Sequence, residues 1–155
     1  MKIVVTQGVG SGKTALSAFD MALYEAGIAN YNLIPLSSVI PTGVEVRVED
    51  VDRNEVEHGY KLYVVLSHKE QETIGRVACA GLGWRQQKNG AGIFVEHSGE
   101  SEEDVRRLIY FSLDDMIRYR PDHYGEIQMV ITKIECVDQP VSAIVTAVYE
   151  SEGWR

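Results

Sequence analysis

The segment Asn32-Leu-Ile-Pro-Leu-Ser-Ser-Val-Ile-Pro41 decides how the rest of the chain is interpreted. Its apolar run at 33–36 predicts a short buried strand, and the Pro-Thr-Gly sequence at 41–43 predicts a turn soon after it. Two adjacent hydroxyl residues, Ser37 and Ser38, separate the apolar run from the residues that precede the turn. Because Ser-Ser pairs are common, the residues alone favour a polar strand end, with a chemical role for the pair as the alternative.

Composition predicts one folded domain. At 155 residues the chain can bury a single hydrophobic core, and 45% hydrophobic with 25% charged residues is typical of a globular protein. The formal net charge of −8 argues against nucleic acid or an anionic membrane as a partner, because both attract basic patches, and suits small cationic ligands better. No apolar run has the length of a bilayer span, and the residues after Met1 lack a signal-peptide pattern. A cytoplasmic location is therefore expected.

The cysteines and histidines predict no metal site. Cys79 and Cys136 lie far apart in apolar, strand-like segments, where buried free thiols are expected rather than a disulfide. The four histidines share no ligand spacing with one another or with the cysteines. The nucleophile elbow of serine hydrolases is also missing from the sequence.

A glycine-rich segment precedes the first predicted helix. Residues 2–6 predict a strand, and the helical pattern at 15–26 is closed by Gly27. Between them, Gly8-Val-Gly-Ser-Gly-Lys-Thr14 is similar to a phosphate-binding loop, but Gln7 stands where that motif needs its first glycine. A flexible turn into the helix is therefore predicted. A small nucleotide-binding protein is the alternative, because helix N-termini attract anions.

Asp20 is the polar member of an otherwise small and apolar stripe on this helix. Leu16, Asp20 and Leu23 follow one another at helical spacing and fall on one face. A carboxylate in that position has to be solvated, paired or used. The residues alone favour solvation at the edge of the stripe.

Strands and one further helix are predicted for the rest of the chain. Lys88-Asn89-Gly90 marks a hairpin turn before a strand at 91–97, whose polar end carries Glu96 and His97. Ser101 and the acids after it predict the start of a helix that continues to about residue 118. The charged residues 49–59 predict a surface connection. The remaining predicted strands are 44–48, 60–67, 74–82, 126–137 and 141–149.

Three segments together are similar to one known family. They are Asn32-Leu33-Ile34-x-x-Ser37-Ser38-x-Ile40-Pro41, the preceding Ala18-Phe19-Asp20-x-Ala22-Leu23 with Ala26-Gly27-Ile28, and Gly92-Ile-Phe-Val-Glu96. With them the chain resembles the pyruvoyl-dependent arginine decarboxylases, most specifically over residues 14–41 and more loosely over nearly its whole length. The resemblance implies one α+β domain over residues 1–155, built as a layered αββα sandwich of mainly antiparallel sheets. It also implies a trimer or a dimer of trimers, with active sites between neighbouring subunits.

The resemblance further implies that the chain cuts itself between Ser37 and Ser38. The Ser38 hydroxyl would attack the Ser37 carbonyl to give an ester, and β-elimination followed by hydrolysis would release ammonia. The products would be a β chain, residues 1–37, and an α chain, residues 38–155, capped by a pyruvoyl group. This covalent cofactor would take arginine as a Schiff base and act as the electron sink for its decarboxylation to agmatine, as pyridoxal phosphate does elsewhere.

Particular residues acquire roles from the same resemblance. Asn32 is expected to donate a hydrogen bond to the oxyanion that forms during cleavage. Glu96 is expected to protonate the decarboxylated carbon, which requires an apolar pocket that raises its pKa. Asp20 is expected to receive the substrate guanidinium in a bidentate pair. The other pocket residues implied are Leu23, Tyr31, Ser37 and Val39, with Tyr31 expected to narrow the pocket.

Two other hypotheses remain. A paralogue that has lost self-cleavage would keep the fold without the chemistry, although Asn32, Ser38 and Glu96 are all present. A non-catalytic oligomeric module would use the two serines only to end a strand.

Overall fold

Nine strands, two α-helices and one 3₁₀-helix form the described part of the chain, residues 1–52, 54–121 and 123–155, in a computed structural model. The helices are α1 (Ala15–Ala26) and α2 (Glu102–Ile117), and the 3₁₀-helix is Glu55–Glu57. The strands are β1 (Lys2–Ser11), β2 (Asn32–Pro35), β3 (Val39–Ile40), β4 (Glu45–Val48), β5 (Lys61–Gln71), β6 (Val77–Gln86), β7 (Gly92–Gly99), β8 (Gln128–Glu135) and β9 (Val141–Glu152).

The strands are arranged in two sheets. The first has five strands in the order β2-β5-β9-β1-β4, and the second has four in the order β3-β7-β6-β8. The pairs β1–β4 and β2–β5 at the edges of the first sheet are parallel, and the other named pairs are antiparallel. The predicted class, α+β with mainly antiparallel sheets, is therefore confirmed.

The hydrophobic residues form three layers of packing. Side chains from the inner faces of both sheets meet in the largest cluster, which includes Ile3, Leu82 and Phe94. The first helix covers the outer face of the five-stranded sheet, and the second covers the outer face of the four-stranded sheet through Val105 and Ile109. This order of layers is the predicted αββα sandwich. Neither helix in the described ranges is long and apolar enough to cross a membrane.

The glycine-rich segment is not the flexible turn that was predicted. Strand β1 continues through Ser11, and Gly8 and Gly10 pair with β9. A Cβ atom on Gly10 would lie 2.6 Å from the carbonyl oxygen of Ala18, and one on Gly8 would clash with the backbone of the same helix. The glycines therefore allow β1 to pack directly against α1. Because most of the segment is strand, the loop required by the nucleotide-binding alternative is not formed.

The connection between β4 and β5 lies at the surface, as predicted. Its described residues are exposed or half-buried, and Glu55–Glu57 form the 3₁₀-helix. Arg53, which belongs to the predicted connection, lies outside the described residues.

The two cysteines were also predicted correctly. Cys79 and Cys136 are both buried and both free. Cys79 lies on β6 and faces α2, in the cluster that this helix forms with the four-stranded sheet.

Candidate active site

The serine pair connects the two sheets. Strand β2 pairs with β5 in the five-stranded sheet, and the N–H of Leu36 extends that pairing with a 2.8 Å hydrogen bond to the Val64 carbonyl. Strand β3 pairs with β7 in the four-stranded sheet. Ser37 and Ser38 therefore lie where the chain leaves one sheet and enters the other.

The prediction that residues 33–36 form a buried strand is only half right. Strand β2 forms there, but it lies at the edge of the five-stranded sheet, and its residues are half-buried or exposed. An edge strand has a neighbour on one side only, so its apolar side chains are not fully covered within one chain.

Ser38 has an unusual backbone. Its φ angle is 76°, in the left-handed region that residues with a Cβ rarely adopt. Such a conformation costs on the order of 1–3 kcal/mol and needs support from its surroundings. Part of that support is a 2.8 Å hydrogen bond from the N–H of Phe94 to the carbonyl oxygen of Ser38. Strained backbone thus coincides with the residue at which the sequence predicts cleavage.

The Ser38 side chain contacts Glu96. The hydroxyl Oγ donates to Oε2 of Glu96 over 3.0 Å, although the two residues are 58 positions apart in the chain. Glu96 is exposed near the end of β7, so one chain does not provide the apolar pocket that was predicted around it. The two residues belong to an open depression, named here the serine cleft, which is lined by Ser37, Ser38, Phe94, Val95, Glu96, His97, Ser112 and Met116.

His97 belongs to the cleft and received no role from the sequence. Its Nε2 atom shares a 2.7 Å hydrogen bond with Oγ of Ser112, and its carbonyl oxygen accepts a 2.8 Å hydrogen bond from Ser67. Burial lowers the pKa of the His97 imidazole, and the neighbouring Glu96 carboxylate opposes that shift only in part. His97 therefore fastens the end of β7 to α2, and burial favours its neutral form. In the sequence, a place in the cleft for His97 was indicated only by its position next to Glu96.

Tyr149 is a second residue that sequence reasoning missed. Its hydroxyl donates to the carbonyl oxygen of Val39 over 2.8 Å, and its ring meets the edge of Phe94 with centroids 6.2 Å apart. Burial, and then the charge of Glu96, raise the pKa of Tyr149 to about 12. The hydroxyl is therefore a permanent donor at ordinary pH. Ser37, Ser38, Val39 and Glu96 are thus brought together, with Tyr149 beside them.

The other predicted site residues lie elsewhere in the chain. Asp20 and Leu23 are on α1; Leu23 is buried against the five-stranded sheet, whereas Asp20 is exposed. Among the described residues, the Asp20 carboxylate makes no hydrogen bond or ion pair. None of the four residues Asp20, Leu23, Tyr31 and Asn32 lines the serine cleft.

Tyr31 is held in place by a carboxylate. Its hydroxyl donates to Oε1 of Glu57 over 2.6 Å, and Ser151 donates to the other oxygen over 2.9 Å. Burial is the main cause that raises the pKa of Tyr31 to about 12, with Glu57 adding to it. Tyr31 also lines a small cavity next to Ala29. This fixed ring is consistent with the predicted narrowing of the pocket, which stays a prediction.

Asn32 lies apart from the serine pair of its own chain. Its Nδ2 atom donates to the carbonyl oxygen of Gly59 over 2.8 Å. The extended backbone from Asn32 to Leu36 covers about 13 Å at roughly 3.3 Å per residue. That distance exceeds the reach of an asparagine side chain toward the Ser37 carbonyl. The predicted residues therefore form two separate groups, one at the serine cleft and one on α1 and β2.

Comparisons with known proteins agree on one family. The family model described as pyruvoyl-dependent arginine decarboxylase matches residues 2–152. A protein of that name from Thermococcus kodakarensis is 37% identical over 143 residues, covering 88% of this chain and 87% of the relative. One from Methanothermobacter thermautotrophicus is 34% identical over 152 residues, covering 96% and 95%. One from Thermococcus sibiricus is 31% identical over 149 residues, covering 95% and 93%.

Proposed function

Because the chain belongs to the pyruvoyl-dependent arginine decarboxylase family, we propose that it converts L-arginine to agmatine and carbon dioxide with a pyruvoyl group made from its own Ser38. The observation that supports this most directly is the state of Ser38: a left-handed backbone, with the side-chain hydroxyl 3.0 Å from Glu96. The two buried free cysteines fit a reducing cytoplasm, which is the proposed location.

Self-cleavage needs only a hydroxyl, a carbonyl and water. Oγ of Ser38 attacks the carbonyl carbon of Ser37, and the peptide bond between them breaks as an ester forms. Loss of the Ser38 Cα proton then expels the Ser37 carboxylate and leaves a dehydroalanine at position 38. Water replaces the nitrogen of that residue, which leaves as ammonia. The net reaction consumes one water, and the strain at Ser38 is released when the peptide bond opens.

The cleft residues fit a pyruvoyl group at position 38. The Ser38 carbonyl survives cleavage as the amide carbonyl next to the new ketone, and Phe94 already donates its N–H to that oxygen. Once formed, the group supplies an electrophilic carbonyl and an electron sink, which no unmodified side chain offers. Glu96, whose Oε2 lies 3.0 Å from Oγ of Ser38, is proposed to return a proton to the substrate carbon after carbon dioxide leaves.

Asp20 is proposed to recognise the guanidinium of arginine. Its carboxylate is exposed, and it is not engaged by any partner among the described residues, so both oxygens are available for a bidentate pair. Leu23, Tyr31, Ser37 and Val39 are proposed to line the same pocket. Val39 is 61% exposed, which leaves its apolar surface open for contact with a substrate or a neighbouring subunit.

Asp20→Asn is expected to lower kcat/KM for arginine by about 10- to 100-fold, because a charge-assisted pair is replaced by a neutral contact. Cleavage should be unaffected, since it involves no guanidinium. Formation of agmatine and carbon dioxide is measured against Asp114→Asn, which changes an exposed carboxylate on α2. Wild-type kcat/KM in the Asp20 variant would remove that residue from the binding site.

The separation of the two groups of residues supports a site shared between subunits. Asn32 and Asp20 lie outside the serine cleft, and β2 presents half-buried apolar residues at an open sheet edge. We propose a trimer, or a dimer of trimers, in which one chain provides the cleft and its neighbour provides Asp20 and Asn32. Such contact would also cover Glu96 and supply the apolar surroundings that a single chain lacks.

Asn32→Ala is expected to slow cleavage by about 10²- to 10³-fold, the usual loss for one oxyanion donor. Co-expression with a differently tagged Ser38→Ala chain should restore cutting of the Asn32→Ala chain, because the uncuttable chain still supplies Asn32 to its neighbour. The readout is the mass of each tagged chain over time, with Asn30→Ala as the matched control. If the Asn32→Ala chain stays uncut in mixed assemblies, Asn32 acts within its own chain.

A further inference from the structure

Cleavage after Ser37 would turn residue 38 into the end of a chain. In the uncut protein, covalent bonds hold this residue on both sides. Afterwards strand β3, which pairs with β7, would be just two residues long at the new chain end. Chain ends fray unless something holds them. Ile40 is buried and anchors one side of the segment, but the Val39 side chain is 61% exposed and contributes little.

Two hydrogen bonds hold consecutive carbonyls in this segment. The N–H of Phe94 donates to the Ser38 oxygen over 2.8 Å, and the hydroxyl of Tyr149 donates to the Val39 oxygen over 2.8 Å. Tyr149 lies on β9 in the five-stranded sheet, whereas β3 belongs to the four-stranded sheet. The bond from Tyr149 therefore ties the segment to the opposite sheet. Cleavage removes neither acceptor, because both carbonyls stay with residues 38–155.

We propose that Tyr149 is a positioning residue that keeps the newly cut end, and with it the reactive group at position 38, in register with Glu96. This inference rests on the proposed function. The rings of Tyr149 and Phe94 also contact each other, with centroids 6.2 Å apart. The two residues that donate hydrogen bonds to the segment therefore pack together. Because burial raises the pKa of Tyr149 to about 12, the hydroxyl stays protonated and can donate to Val39 throughout the neutral range.

Tyr149→Phe tests this inference. The variant keeps the ring and loses only the hydroxyl donor to Val39. Cleavage should go to completion, kcat should fall about tenfold through misplacement of the reacting centre, and KM for arginine should change little. Hydrogen exchange in the cut protein should become faster at the backbone N–H groups of Val39 and Ile40. The pH profile of kcat should keep its wild-type shape, because Tyr149 does not titrate in that range.

Tyr63→Phe is the matched control, since the Tyr63 hydroxyl on β5 donates to Glu152 rather than to the cut segment. Thermal melts of both variants show whether each is folded at the assay temperature. A Tyr149→Phe protein that is cut and matches Tyr63→Phe in kcat and in exchange at Val39 and Ile40 would overturn the inference. Failure of Tyr149→Phe to be cut would also overturn it, since Tyr149 would then act before the break. An uncut wild-type protein would instead reject the proposed function.

Discussion

Ser38→Ala is expected to leave one intact chain of residues 1–155 with no decarboxylase activity. The variant removes the atom proposed to attack the Ser37 carbonyl, so the ester, the chain break and the reactive group should all be lost together. The loss should be complete rather than partial, because the ordinary side chains offer no substitute for the electrophilic carbonyl. Gel electrophoresis and an arginine turnover assay check the two results on the same sample.

Ser37→Ala is the control for this experiment. The proposed cleavage uses the Ser37 carbonyl and not its hydroxyl, so the control should still be cut. Alanine at position 38 keeps the backbone strain of a residue with φ 76° and loses the 3.0 Å bond to Glu96. A thermal melt therefore accompanies both variants. Cutting of the Ser38→Ala chain would show that the nucleophile is a different residue.

Glu96→Gln is expected to separate cleavage from turnover. The amide oxygen of glutamine can accept the hydrogen bond that Oγ of Ser38 now donates to Oε2, so the serine keeps its partner and the chain should be cut. The amide cannot act as a general acid, and loss of such a group typically costs 10²- to 10⁴-fold in rate. A cut protein with kcat lowered by about that factor is the expected result.

Glu100→Gln is the control for the acid. Glu100 is exposed just beyond β7 and contacts Arg76 at 3.7 Å, away from the serine pair. It should be cut and should turn over arginine as the wild type does. Full turnover by Glu96→Gln would refute the acid role, and an uncut Glu96→Gln chain would mean that the carboxylate is already needed for the break.

The sequence predicted correctly those helix ends and turns that depend on the backbone conformation or side chain of a single residue. Helix α1 ends at Gly27, with φ 87°, and the β6–β7 hairpin turns at Gly90, with φ 93°. Ser101 caps α2 through its side chain, as its position before a run of acids predicted. These are local effects, so a short window of sequence contains them.

The errors occur where a distant partner decides the structure. Gly8 and Gly10 suggested a loop, but their small size serves the contact between β1 and α1. The strand predicted at 60–67 was expected to end there, yet β5 continues to Gln71, which is buried and pairs with Val141. A pattern of residue types does not show which neighbour will cover or pair with a segment.

The residues of the candidate site also fall into those that a short segment of sequence identifies and those that only the folded structure reveals. Short segments with Ser38, Glu96 and Asp20 carried the resemblance, so these residues could be identified from sequence. Tyr149 is 110 residues from Val39 in the chain and lies on an ordinary strand, so only the folded structure joins them. The division of the predicted site into two groups also depended on the fold, because it follows from the direction in which β2 leaves Asn32.

The intact mass of the freshly purified protein tests the central claim most directly. Self-cleavage predicts two chains, residues 1–37 and residues 38–155, the second lighter by one ammonia than the same fragment beginning with serine. A single 17.3 kDa chain with an unmodified Ser38 that still converts arginine to agmatine would contradict it.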